Sequence, residues 1–248
     1  MNTPYKLVAF DMFGTLVRND ISDWHRTVCS IAIEQSLPVP PDSLWEEWHS
    51  REVNFRKTRT NMSDPESSPR FRSYWEAWRD TFVETFDSLK VDADADLAAT
   101  RCIEALICQP AFPDATGALE ATSKICSTAV LSNADDLYLN GTIECNDWLF
   151  DVVLSSETLR AYKPDPRIFA GLLAKTGIPP QCVLYVGDSA YDDAHGAKLA
   201  GMHTVLVERD QNTPGRTPPP GTLSLLDPDF VIGDLSELPA IVRIGIEG

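Results

Sequence analysis

Leu7-Val8-Ala9-Phe10-Asp11-Met12-Phe13-Gly14-Thr15-Leu16 is the stretch on which the fold turns. The apolar run from Leu7 to Phe10 has the length of a short strand and no alternation, the pattern of a strand covered on both faces. It breaks at a carboxylate and then a glycine. Asp11 is therefore expected at the carboxyl end of a buried strand. Gly14 would let backbone N–H groups approach a ligand closely, and Thr15 adds a hydroxyl.

Five further runs of the same kind follow: Thr128 to Leu131, Val152 to Leu154, Val183 to Val186, Thr204 to Val207 and Phe230 to Ile232. Helical patterns separate them at Thr116 to Ile125, Pro166 to Lys175 and Asp193 to Ala200. Alternation of strand and helix predicts an α/β fold, a doubly wound parallel sheet of Rossmann-like type. Reactive groups in such a sheet collect beyond the carboxyl ends of the strands.

Residues 21–109 read differently. They hold five of the six tryptophans and no strand-like run. Trp45, Trp48, Glu52 and Phe55 fall on one helical face, and Phe71, Trp75, Trp78, Phe82 and Phe86 on another, as helix-packing cores do. Thr58 to Arg70 reads as a loop between the two helical groups. The expected organisation is an α/β core of residues 1–20 and 110–248 with an all-helical domain, residues 21–109, inserted after the first strand. Asn212 to Gly221, rich in proline and glycine, reads as a surface loop.

A length of 248 residues, 43% of them hydrophobic and 23% charged, suits a core plus an insert and argues against disorder. The formal net charge of −16 opposes nucleic acid and anionic membrane as partners. An anionic substrate would need a local cluster of donors. The six cysteines are scattered, without a CxxC pair, and read as reduced thiols with no zinc site. No run is long enough for a signal or membrane segment, so a cytoplasmic protein is expected, as monomer or homodimer.

Three more segments carry chemistry. Val130-Leu131-Ser132-Asn133 ends a strand in a hydroxyl and an amide, which suit an anion or a helix N-cap. Tyr162-Lys163-Pro164-Asp165-Pro166 places a lysine on a proline-stiffened turn, to steady an anion or to sit in solvent. Gly187-Asp188-Ser189 with Asp192 and Asp193 gathers three carboxylates after a strand, hard ligands that suit Mg2+ or else an acidic helix start.

Each segment follows a predicted core strand, and in that order the chain resembles the haloacid dehalogenase superfamily along essentially its whole length. The resemblance implies a hydrolase with Asp11 as nucleophile, Ser132 binding the anion and Lys163 stabilising both. Thr15 and Asn133 would help to cradle the substrate. Mg2+ would rest on Asp11, the carbonyl of Phe13 and Asp188, with Asp193 in support. The helical insert resembles the family's cap, which closes over the site and selects substrate.

Phe13 departs from the phosphatases of that family, which carry there an aspartate acting as general acid and base. Asp-x-Phe-Gly-Thr-Leu resembles the 2-haloacid dehalogenase branch, whose halide leaves without a proton. The acids of Gly187-Asp188-Ser189 and Asp193 resemble the magnesium-dependent phosphatases instead. The expectation drawn is Mg2+-dependent hydrolysis of a small phosphate ester through an aspartyl intermediate. A metal-independent 2-haloacid dehalogenase, a phosphonate hydrolase and a catalytically impaired binding protein are the alternatives. His25 is a weak candidate for the missing proton donor. The basic run Arg51, Arg56, Lys57, Arg59, Arg70 and Arg72 could attract an anionic substrate, although a solvated helix face explains it as well.

Overall fold

Strand β1, Leu7–Phe10, is buried along its whole length. Val8 and Phe10 point into one apolar core, and Leu7 and Ala9 into a second core on the opposite face of the sheet. The computed structural model describes residues 5–209 and 224–245; the stretch Asn212 to Gly221 lies outside them.

Around β1 stand β2 (Ser127–Ser132), β3 (Val152–Ser155), β4 (Val183–Gly187), β5 (His203–Val207) and β6 (Phe230–Ile232). Their order is β3-β2-β1-β4-β5-β6, and every pairing is parallel. Each of the six strand segments read from sequence is found, within two residues at either end. The fold is the doubly wound α/β sheet that the sequence predicts. Because β1 lies between β2 and β4, the three strands that end in Asp11, Ser132 and Asp188 are immediate neighbours.

Between β1 and the return of the chain to the sheet lie four helices: α1 (Ile21–Glu34), α2 (Pro41–Thr58), α3 (Tyr74–Leu89) and α4 (Ala95–Leu106). Their tryptophans form a core, with Trp24 stacked on Trp48 at 5.9 Å and edge-on to Trp78 at 4.9 Å. The start of α3 is set by a capping box in which Ser73 and Glu76 satisfy each other's backbone N–H groups. The remaining helices, α5 (Ala115–Ser123), α6 (Asp136–Cys145), α7 (Ser156–Leu159), α8 (Pro166–Thr176), α9 (Gly196–Leu199) and α10 (Leu238–Ile244), belong to the sheet's layers. Helix α9 is shorter than the Asp193 to Ala200 pattern predicts, because Ala190–His195 forms a π-helical turn.

The two crossings between sheet and helical module run side by side: Val17 pairs with Ala111, and the Arg18 N–H donates to the Pro110 carbonyl at 3.0 Å. Beside them, Cys108 and Cys145 form a disulfide between the return crossing and the end of α6. This corrects the expectation that all six cysteines are reduced. The two lie 37 positions apart, so only the folded chain brings them together. Cys29, Cys102, Cys126 and Cys182 are free thiols. Among the described residues no helix is long and apolar enough to cross a membrane.

Asp135, at the carboxyl end of β2, holds the helical module to the sheet. Its buried carboxylate accepts from the N–H groups of Tyr74 and Trp75 at 2.7 and 2.8 Å, in the first turn of α3. Those donors have no partner within the helix, and the helix end favours an anion there. Asp135→Ala is expected to lose about 1–2 kcal/mol of stability, measured by urea denaturation, with unchanged far-ultraviolet circular dichroism. An unchanged midpoint would show that this contact does not hold the module.

Candidate active site

At the centre of the site is a buried ammonium. The Lys163 side chain is 2% exposed and donates to Asp11 Oδ1 at 2.7 Å, Asp193 Oδ1 at 2.6 Å and the Tyr185 hydroxyl at 3.0 Å. Burial works against its charge, but Asp11 and Asp193 outweigh burial and hold Lys163 well above the usual lysine range. The same geometry accounts for the acids. Burial pushes Asp193 up to about 7, with Lys163 opposing and Asp11 adding to the rise.

Asp11 Oδ1 also accepts from the Ser132 hydroxyl at 2.8 Å, across the β1–β2 seam. The carboxylate is thus aimed by two donors and carried on a strand end that cannot shift without the sheet. Asp188 ends β4 and accepts from Thr15 through Oδ1 at 2.8 Å. Asp193 Oδ2 accepts from the Ser189 N–H at 3.0 Å. Oxygen atoms of Asp11, Asp188 and Asp193 lie within 4.8 Å of one another.

These groups face a cavity of about 60 Å3, room for roughly four waters or a substrate of a few heavy atoms. Its sheet side is formed by Asp11, Phe13, Ser132, Asn133, Lys163, Asp188, Asp192 and Asp193. Asn19, Arg56, Arg59 and Tyr74 close the other side. The π-helical turn brings both of the consecutive acids Asp192 and Asp193 to the wall, a common use of such turns at functional sites.

Most of the sequence-derived residues converge here, but not all in the expected posture. Asn133 clamps the backbone of Lys163: its Oδ1 accepts the Lys163 N–H at 2.7 Å and its Nδ2 donates to the Lys163 carbonyl at 3.2 Å. It positions the lysine and also lines the cavity in which the anion was expected. Thr15 does not reach the cavity wall, and its hydroxyl serves Asp188. The Phe13 ring lies edge-on to Tyr138 at 5.3 Å. His25 is absent from the cavity wall and contacts Asp42 on α2.

Of the six basic residues singled out in the helical module, two reach the site. Arg59 is buried, sits 4.4 Å above the Tyr162 ring, donates to the Tyr74 hydroxyl at 2.5 Å and pairs with Asp192 at 3.3 Å. Arg56 lines the same wall and pairs with the buried Glu52. Arg51 and Arg72 pair elsewhere, with Glu47 and Asp80. Sequence reading missed Tyr185 and Tyr74. A tyrosine inside the otherwise aliphatic Val183–Gly187 was a usable signal for the former: its hydroxyl passes the lysine's contact on to the Leu131 carbonyl at 2.7 Å.

Residues 5–201 match the haloacid dehalogenase-like hydrolase family. The (S)-2-haloacid dehalogenase 4A of Burkholderia cepacia is 28% identical over 209 residues, covering 83% of this chain and 84% of its own. Phosphatase MT3486 of Mycobacterium tuberculosis is 35% identical over 136 residues, 53% of this chain and 55% of its own. The solved structure of the L-2-haloacid dehalogenase from Xanthobacter autotrophicus superposes with a TM-score of 0.72, covering 98% and 100% of the two chains, at 23% identity. At that identity the likeness is one of fold.

Gly187 tests the arrangement. A Cβ built there would lie 2.3 Å from Asp193 Cγ and 2.4 Å from its Cβ, so Asp193 would have to move. Gly187→Ala is expected to cost about 1–3 kcal/mol and to lower kcat at least tenfold by releasing one of the two carboxylates on Lys163. A normal Tm together with an undiminished kcat would contradict that packing.

Proposed function

The chain belongs to the haloacid dehalogenase-like hydrolases, and on that footing we propose that it hydrolyses a small 2-haloacid through a covalent ester of Asp11. One observation carries the choice of leaving group. Two positions beyond the nucleophile stands Phe13, a ring packed on Tyr138 that has no proton to give. A halide departs as a stable anion, whereas an alkoxide leaving phosphorus needs a positioned acid, commonly worth about 10²–10⁴-fold in rate. The relatives named (S)-2-haloacid dehalogenase support the same choice.

Asp11, oriented by Lys163 and Ser132 through its Oδ1, attacks C2 of the substrate from its second oxygen. The C–O bond forms as the C–halogen bond breaks, and the halide takes the bonding pair. Water then adds to the Asp11 acyl carbon. Asp188 takes one proton from that water and returns it to the departing 2-hydroxy acid; the other stays on the Asp11 carboxyl and is lost to solvent as the carboxylate is restored. Arg56 and Arg59 line the cavity, paired with Glu52 and Asp192, and their guanidinium groups match the substrate's carboxylate in a chain of net charge −16. The four-helix module acts as a cap whose wall limits substrate size.

A second reading rests on a specific feature, the oxygens of Asp11, Asp188 and Asp193 within 4.8 Å. Four acids, with Asp192, share the cavity with Lys163 and the two arginines, of which Arg56 is already paired with Glu52. This hard-oxygen donor set fits Mg2+. Asp11, Asp188 and the Phe13 carbonyl would hold the ion, with Asp193 in support, and it would polarise a phosphoryl oxygen.

Halide release from (S)-2-chloropropionate, unaffected by EDTA and reduced at least 10³-fold in Asp11→Asn, is the expected result. Turnover confined to p-nitrophenyl phosphate and abolished by EDTA would replace it with the second reading.

A further inference from the structure

Away from the cavity, on the outer side of the helical module, a histidine, a cysteine and an aspartate meet. His25 and Cys29 lie four residues apart on α1, so both side chains leave the same face of the helix. Asp42 comes from the first turn of α2. His25 Nε2 is 2.8 Å from Asp42 Oδ1, Cys29 Sγ is 3.6 Å from His25 Nε2, and Cys29 Sγ is 4.0 Å from Asp42 Oδ1. We propose that His25 Nε2, Cys29 Sγ and Asp42 Oδ1 form a site for a zinc-class divalent cation, with a fourth position open to water.

The distances fit the ion. Bonds of about 2.3 Å to sulfur and about 2.0–2.1 Å to nitrogen or oxygen, at tetrahedral angles, separate sulfur from nitrogen by about 3.5 Å and nitrogen from oxygen by about 3.3 Å. The sulfur–nitrogen edge has that length, but Cys29 Sγ is also only 4.0 Å from Nδ1, so the sulfur stands beside the ring and not ahead of the Nε2 lone pair. Binding requires the imidazole, 42% exposed, to turn until Nε2 faces the sulfur, and the Asp42 carboxylate, 75% exposed, to shift by about half an ångström.

The backbone holds the three groups close in advance. Between α1 and α2 the chain runs Leu37-Pro38-Val39-Pro40-Pro41-Asp42, and three prolines leave it few conformations. Pro41 opens α2 and fixes the turn that bears Asp42. The Trp45 ring stands edge-on to the His25 imidazole at 5.4 Å. An ion pair of His25 with Asp42 would not need a sulfur beside it. Thiolate with imidazole selects zinc-class ions over Mg2+ and Ca2+, which separates this site from the acids around Asp11.

Binding would clamp the start of α2 to the middle of α1 and release the thiol proton to solvent. The test uses the full chain, stripped with chelator and kept in a non-thiol reductant. ZnCl2 is titrated calorimetrically in excess MgCl2, and CoCl2 is followed by thiolate-to-metal absorption. One equivalent of Zn2+ is expected to bind, with a Tm rise of about 5–10 °C at a hundred times the Kd. Asp188→Asn should retain that binding, whereas Cys29→Ser and His25→Ala should weaken it at least 100-fold and Cys29→Ser should abolish the cobalt band. No zinc uptake by the unaltered chain at micromolar concentration, no thiolate band with cobalt, or undiminished binding in Cys29→Ser would each overturn the site. Haloacid or phosphate turnover does not enter the readout, so the result is independent of the reaction proposed above.

Discussion

The buried ammonium of Lys163 is the constraint on which the candidate site depends. An ion removed from water is tolerated only where its charge and all its protons are matched, and removing one partner of such a buried pair typically costs about 3–5 kcal/mol. Here the three donor directions are used by Asp11, Asp193 and Tyr185. Each partner comes from a different piece of the fold: the end of β1, the π-helical turn and the middle of β4. The lysine therefore fixes their relative positions as much as they fix its own. Asn133 completes the arrangement by taking both backbone polar groups of Lys163.

Sheet topology explains why such a cluster can form. Parallel strands put all their carboxyl ends on one edge, and the order β2-β1-β4 brings the ends bearing Ser132, Asp11 and Asp188 together. No loop has to reach far. What the sheet cannot supply is a second wall, because its carboxyl edge opens to solvent. That wall comes from the helical module, pinned by Asp135 at α3 and by the Tyr162 hydroxyl, which donates to the Arg72 carbonyl at 2.6 Å. Arg59 carries charge across to the sheet half, reaching from α2's end to Asp192.

The parts legible in the sequence are those fixed by local rules. Strands buried on both faces announce themselves as unbroken apolar runs, and residues that end them are placed by topology alone. Asp11, Ser132, Asp188 and Asp193 could therefore be assigned to one site before any geometry was known. Lys163 was legible through its proline turn. Roles that depend on which neighbour competes for a hydrogen bond were not. Thr15 and Asn133 carry good anion-binding groups, yet Asp188 and the Lys163 backbone engage them first. Arg56 and Arg59 could not be told from Arg51 or Arg72, since helical periodicity reports a face but not what the face meets. The Cys108–Cys145 bridge was hidden for the same reason, because its ends meet only after α4 returns beside α6.

Charge links Phe13 to the acids that surround it. Asp11, Asp188, Asp192 and Asp193 carry four formal negative charges into a cavity with Lys163, Arg59 and an Arg56 already paired to Glu52. That excess can be relieved in two ways, by a divalent cation or by a proton. Burial and the neighbouring Asp11 push Asp193 up to about 7, so near neutral pH it takes up a proton readily. With that proton in place the charge of Lys163 is left to Asp11. An ion-free displacement that expels halide is then electrostatically consistent with a wall of carboxylates, and the absence of an acid at Phe13 costs it nothing. Phosphate transfer makes the opposite demand. It brings further negative charge into the same space, and one proton on Asp193 cannot offset that. For this set of residues the choice of leaving group and the choice between proton and cation are therefore the same choice.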